Sequence, residues 1–183
     1  MSETNEMNYT ELQITSNFSF LRGGSHPEEL VEQALALGYS DIAITDHNTL
    51  AGIVRAYTAA KGKNIRVIPA CRLNLADGPS LLVYPTDKEA YARMSGLLSE
   101  GNLRVEKGEC LLYKADVYRY AKGLLFIMVP PASMNEKFEF EADYIHALEE
   151  YRAILGEALY LGATPAYLAS DGKKLARLAQ LSK

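Results

Sequence analysis

The chain has 183 residues, 48% of them hydrophobic and 23% charged, which fits a globular domain with a core and excludes a disordered chain. Its net charge of −4 excludes a bulk basic surface able to hold a nucleic-acid backbone by counterion release. The two cysteines, Cys71 and Cys110, show no CxxC or other metal-ligand spacing, so neither a disulfide framework nor a thiolate metal site is expected.

Residues 1–8 are polar and acidic and read as a flexible tail without a signal core. No apolar run approaches the roughly 20 residues of a membrane span, so a soluble, cytoplasmic protein is expected, with residues 9–183 as one domain. Leu12–Thr15 is the first strand candidate. Ser25-His-Pro-Glu28 has capping-box spacing, and Pro27 is tolerated in a first helical turn. Leu30, Val31, Ala34 and Leu37 follow at helical spacing, and Gly38 is a suitable stop. Asp41–Thr45 is a continuous apolar strand of the kind parallel sheets bury on both faces. A helix from about Leu50 carries Ile53, Val54 and Tyr57 on one face.

Arg66–Leu75 and Ser80–Tyr84 read as strands joined by the turn Ala76-Asp-Gly-Pro79. Thr86-Asp-Lys-Glu89 is a second capping box, opening a helix with Tyr91, Met94, Leu97 and Leu98 inward. Lys114–Ala121 reads as a helix closed at Gly123, and Leu124–Val129 as a buried strand stopped by Pro130 and Pro131. A longer helix over Phe138–Leu155, a short strand at Leu159–Leu161 and a last helix from Ser170 complete the series. This order predicts an α/β fold with mostly parallel strands. Its close on a helix, with no strand after it, reads as a series lacking its last βα units.

In such folds the chemistry lies at the carboxyl ends of strands, which here carry Gln13, Thr15, Arg22, Asp46, His47, Arg72 and Ser80. Asp46 and His47, adjacent after a buried strand, have the right types for a metal ion, but a site needs three or four ligands. On these two residues alone they read first as a helix cap and a locally bonded imidazole. His26 reads as a helix-start residue and His146 as a helix-face residue; the chain has only three histidines. No GxSxG elbow, P-loop or GxGxxG fingerprint occurs. Leu21-Arg-Gly-Gly-Ser25 lacks the lysine of a phosphate cradle and reads as a turn, and the scattered tyrosines form no base-stacking platform.

Glu11-Leu-Gln-Ile-Thr-Ser-Asn-Phe-Ser-Phe-Leu-Arg-Gly-Gly-Ser-His-Pro-Glu-Glu-Leu30 resembles the opening of the polymerase-and-histidinol-phosphatase (PHP) domain. Ala43-Ile-Thr-Asp-His-Asn48 resembles that family's second motif and Ile68-Pro-Ala-Cys-Arg-Leu73 its third. Within the family, Ser16–Pro27 and Asp77–Leu82 are most similar to the error-prone paralogue of bacterial C-family DNA polymerase alpha subunits. The resemblance implies a partial or distorted (βα) barrel with metal ligands at the strands' carboxyl ends. It also implies the remainder of the polymerase and other replication and repair proteins as partners, with DNA met only indirectly. The polymerase's own palm carboxylates do not occur in this chain, so polymerisation by it is not expected.

The departures from the family pattern fall on the ligands. Active members open with His-x-His, where this chain has Gln13-Ile14-Thr15. Arg22 stands where the family has Asp, Arg72 where it has Glu, and Ser80 where it has another histidine; Asp46 and His47 are retained. A guanidinium offers no lone pair and does not deprotonate. At about 5 Å and an effective dielectric near 20, it repels a divalent ion by roughly 6–7 kcal/mol. The resemblance therefore implies a degenerate domain without Mn, Zn or Mg, without metal-dependent hydrolysis, and acting as a structural or interaction module. The alternatives are an active metal-dependent phosphoesterase or 3′–5′ proofreading exonuclease, and a binder of phosphate or nucleotide without turnover. Two fates are expected for the arginines: an ion pair of Arg22 or Arg72 with Asp46, or an anion pocket.

Overall fold

Ile42, Ala43 and Ile44 are fully buried in a computed structural model that describes residues 9–183, and the first half of the chain is built around them. The segment expected to be a flexible tail, residues 1–8, lies outside the described residues. Strand β1 (Glu11–Ile14), β2 (Asp41–Ile44) and β3 (Arg66–Pro69) form a parallel sheet in the order β1-β2-β3. Helices α1 (Pro27–Ala36) and α2 (Ala51–Ala60) cover one face of it. Side chains alternate across a strand, so Ile42 and Ile44 pack with Val31, Ala34, Ile53 and Ala56 beneath the helices. Ala43 points the other way, into an inner layer with Ala70, Leu82 and Tyr84.

The second half is a four-stranded sheet. Strands β4 (Cys71–Leu73), β5 (Leu81–Pro85), β6 (Leu124–Met128) and β7 (Leu159–Leu161) lie in that order. The pairings β4–β5 and β5–β6 are antiparallel and β6–β7 is parallel. Three of the five strand pairings are thus parallel. The outer face packs on α3 (Lys88–Leu103), α4 (Lys114–Tyr120) and α5 (Ala142–Leu155), and α6 (Asp171–Leu181) adds Leu178 to the same core. Leu81 and Val83 join this outer core, whereas Leu82 and Tyr84 face the inner layer. The Tyr84 hydroxyl donates to the Leu12 carbonyl at 2.7 Å, tying β5 to β1 across that layer. Buried Asp116 ties α4 to α3 by accepting from Arg104 and Arg119, and these partners hold its carboxyl down at about 2.

Several boundaries differ from the sequence reading, each for a local reason. The expected strand Arg66–Leu75 is two strands in different sheets, because Pro69 has no N–H with which to continue the ladder. The expected helix over Phe138–Leu155 starts at Ala142. Ahead of it the Asn135 side chain accepts from the N–H groups of Lys137 and Glu139, each at 3.0 Å, and holds a turn with Phe138 at φ +57°. The first capping box is shifted by one residue: Glu29 accepts from the His26 N–H at 2.7 Å. The second is replaced by a simple cap, with Asp87 accepting from the Ala90 N–H at 2.7 Å while Thr86 donates to the Gly123 carbonyl. On α2 the buried face is Gly52, Ile53, Ala56 and Ala60, and Val54 and Tyr57 point to solvent.

Among the described residues no helix is long and apolar enough to cross a membrane. Phe126 is fully buried in the larger core, so truncation to Ala should cost about 3–5 kcal/mol. Phe20→Ala, at a side chain 84% exposed, should stay within about 0.5 kcal/mol; urea unfolding of both variants checks the contrast.

Candidate functional site

The loops after β1 and β2 meet at Asp46, which is 1% exposed. A buried carboxylate needs a partner for its charge, and here hydrogen-bond donors supply it. The Ser16 N–H donates to Oδ1 at 2.8 Å, the Ser16 hydroxyl to Oδ2 at 2.7 Å and the Ser19 hydroxyl to Oδ1 at 2.7 Å. The Ser19 oxygen in turn accepts from the His47 N–H at 2.9 Å. No Lys or Arg nitrogen of the described residues lies within ion-pair distance of Asp46. The ion pair expected between Asp46 and Arg22 or Arg72 is therefore absent. The two serines have made it unnecessary.

Two glycines make room for this arrangement. A Cβ at Gly52 would stand 2.7 Å from Asp46 Oδ2, and one at Gly23 would stand 2.3 Å from the Ser16 carbonyl oxygen. Any larger residue at either position would push the loop or the helix away from the carboxylate. The main chain is fixed from the other side by Arg72, whose N–H donates to the Asp46 carbonyl at 3.0 Å and whose carbonyl accepts from the Asn48 N–H at 2.8 Å. The Cys71 thiol also points at the Asp46 carbonyl, at 3.3 Å, and burial pushes its pKa up to about 12. It is an inert core thiol.

The Arg72 side chain turns away from Asp46. Its Nη2 reaches the Ser80 oxygen only at 3.5 Å, and its buried Nε has no partner. Ser80 spends its own proton on Asn74 Oδ1 at 3.0 Å, and Asn74 Nδ2 lies 2.8 Å from His47 Nδ1. Burial and the positive charges of Arg72 and Arg22 depress the His47 pKa to about 4, with Asp46 opposing them. His47 is therefore neutral at pH 7.

Of the remaining positions singled out in the sequence, Gln13 is exposed on β1, Thr15 is half-buried beside the loop and Arg22 is exposed. His26 stands at the start of α1, with Asn17 Nδ2 at 2.8 Å from its Nδ1, and His146 is exposed on α5. Among the described residues no group of three or more His, Cys, Asp and Glu side chains could hold a metal ion. The residues present do not fit the metal centre that the family pattern implies. Sequence reasoning overlooked Ser16 and Ser19, although both lie in the Gly-containing loop facing Asp46; their small hydroxyls carry no motif signal of their own.

The model of the PHP domain family matches residues 11–164. The chain belongs to the PHP family. This PHP domain is 49% identical over 176 residues to an error-prone DNA polymerase of Caulobacter vibrioides, covering 96% of the chain and 16% of that protein. It is 42% identical over 180 residues to an error-prone DNA polymerase of Rhodopseudomonas palustris, covering 95% of the chain and again 16% of the relative. The chain therefore spans about one-sixth of the length of these relatives. Among solved structures, a candidate metal-dependent phosphoesterase of Bifidobacterium adolescentis aligns with a TM-score of 0.64 at 16% identity, over 94% of this chain and 83% of that one. An amidohydrolase of Chromobacterium violaceum, with bound sulfate and no metal, aligns with a TM-score of 0.63 at 15% identity, over 93% and 82%. These likenesses bear out the expected α/β architecture with parallel strands.

Two outcomes test the site. Ser16→Ala removes a hydrogen bond to a buried carboxylate and should cost about 1.5–3 kcal/mol in urea unfolding. The His47 pKa is lower in the folded chain than in the unfolded one, so the unfolded state binds more protons between the two values. Stability should consequently fall as pH drops from about 6.5 to about 4 and gain nothing from this residue above that window. A His47→Gln variant should lose this part of the pH dependence in thermal melts.

Proposed function

We propose that this chain is a catalytically silent PHP domain that serves as a structural and interaction module of an error-prone DNA polymerase in the cytoplasm. The observation that carries the reading is the state of Asp46: both its oxygens are engaged by Ser16 and Ser19. A cation there would have to displace those donors, and Arg22 and Arg72 bring positive charge to bear on neighbouring His47 rather than offering ligands. His47 keeps one ring nitrogen on Asn74, and Gln13 and Thr15 stand where the imidazole pair of an active member would be. Hydroxide generation at neutral pH needs a bound ion, and these residues supply no means of holding one.

The support for a polymerase context is the named relatives, of which this chain matches one portion. With a net charge of −4 the domain brings no general affinity for a DNA backbone, so its partners in this reading are the rest of the polymerase and other replication and repair proteins. Calorimetric titration with Mn²⁺ and with Zn²⁺ should give no saturable heat, and neither ion should stimulate hydrolysis of p-nitrophenyl phosphate or trimming of a DNA 3′ end. Stoichiometric binding with metal-dependent hydrolysis would instead make the domain an active phosphoesterase or proofreading exonuclease.

A further inference from the structure

The loop between β1 and α1 carries two large apolar side chains into solvent. Phe20 is 84% and Leu21 90% exposed, although the backbone beneath them is firmly held. The Ser19 hydroxyl donates to buried Asp46, and the Asn17 N–H donates to the Ser25 carbonyl at 2.9 Å. The N–H groups of Arg22 and Gly23 both donate to the Ser19 carbonyl, at 2.9 and 3.1 Å. Leu21 closes that turn at φ +61°, a left-handed conformation that ordinarily falls to glycine. Leucine here brings backbone strain and gains no burial, a combination with no benefit inside the molecule itself.

Beside this knob is a cleft of about 660 Å³, lined by Phe18 of the same loop and by Asn102, Glu106, Lys107 and Glu109 from the end of α3 and the turn after it. Leu103, next to Asn102, is a third large apolar side chain in water, at 86% exposure. Exposed apolar residues scattered singly mean little, but a group of them around a recess marks an interaction site. Charge divides between the two features. Arg22, on the knob, is exposed, and Glu106, Lys107 and Glu109 give the cleft one net negative charge. None of these four side chains is ion-paired among the described residues. Arg55, whose guanidinium lies 5.8 Å over the Phe18 ring, is already neutralised by Glu28 at 2.6 Å.

We propose that this face binds a second copy of the same chain in a two-fold dimer, with Phe20 and Leu21 of each copy entering the cleft of the other and Arg22 of each pairing with Glu109 across the contact. A two-fold interface sets one patch against itself, so it closes only where a patch holds both a projection and its complement. This one holds an apolar, positively charged knob next to an acidic recess edged by Leu103. An aromatic anchor on a rigid turn loses little freedom on binding, which is what such a contact requires. A few side chains from each copy fall short of the roughly 1,200 Å² of a stable dimer, so the association is weak and depends on concentration. It stands whether or not the polymerase role proposed above does.

Sedimentation velocity on the full chain, from micromolar to millimolar concentration, should show a monomer passing into a dimer. Phe20→Ala should raise the dissociation constant about tenfold or more. Leu21→Gly should weaken the dimer as well, yet leave the melting temperature of the dilute monomer unchanged or raised, because glycine takes a positive φ without strain. Arg22→Glu and Glu109→Arg should each weaken association several-fold, and the double variant should recover the loss, since the two charges then exchange places. Tyr57→Ala, at a 65% exposed tyrosine bordering a different groove, should have no effect. A chain that stays monomeric at millimolar concentration, which would leave the face to a different protein, overturns the proposal. So does a dimer untouched by Phe20→Ala, a dimer weakened as much by Tyr57→Ala, or a double variant that recovers nothing.

Discussion

A single buried carboxylate governs how the first third of this molecule is put together. Asp46 leaves the end of a fully buried strand and must find its compensation within a few ångströms. It finds three donors on the loop that follows β1. That demand fixes the path of residues 15–26, sets the entry of α1, and brings α2 so close that only glycine fits at position 52. The Arg72 main chain closes the arrangement from the opposite side, which joins the parallel three-stranded sheet to the antiparallel hairpin that begins the second.

The charged groups at the strand ends are kept apart. The negative charge at Asp46 is enclosed by hydroxyls and an amide, while the positive charges of Arg72 and Arg22 remain outside that shell, without a carboxylate partner among the described residues. His47 lies between the two and is held neutral. Both Asp46 oxygens are engaged by these donors.

Much of the architecture was legible in the chain, because periodicity and turn chemistry are local. The buried run Ile42–Ile44, the glycine stop at Gly38, the prolines after β6 and the short strand Leu159–Leu161 all follow from neighbouring residues. Boundaries went astray where a side chain bonded its own backbone, as Asn135 does ahead of α5 and Asp87 does at the start of α3. Pro69 divided what reads as one long strand, because a missing N–H matters only once it is known which ladder the strand joins.

By itself the sequence determined the family, and it pointed to Gln13, Thr15, Arg22, Asp46, His47 and Arg72 as the residues at the strand ends, since these are identities read directly from the chain. What it left open was the partner of each retained or substituted group. An arginine and an aspartate drawn from neighbouring strand ends look like an ion pair on paper. Only the tertiary structure decided otherwise, because hydrogen-bond compensation is settled by distances of a few tenths of an ångström. Ser16 and Ser19 lie about 30 residues from Asp46 along the chain and touch it only after the loop has folded back. The same folding left the Arg72 guanidinium facing Ser80, with Nη2 3.5 Å from its oxygen.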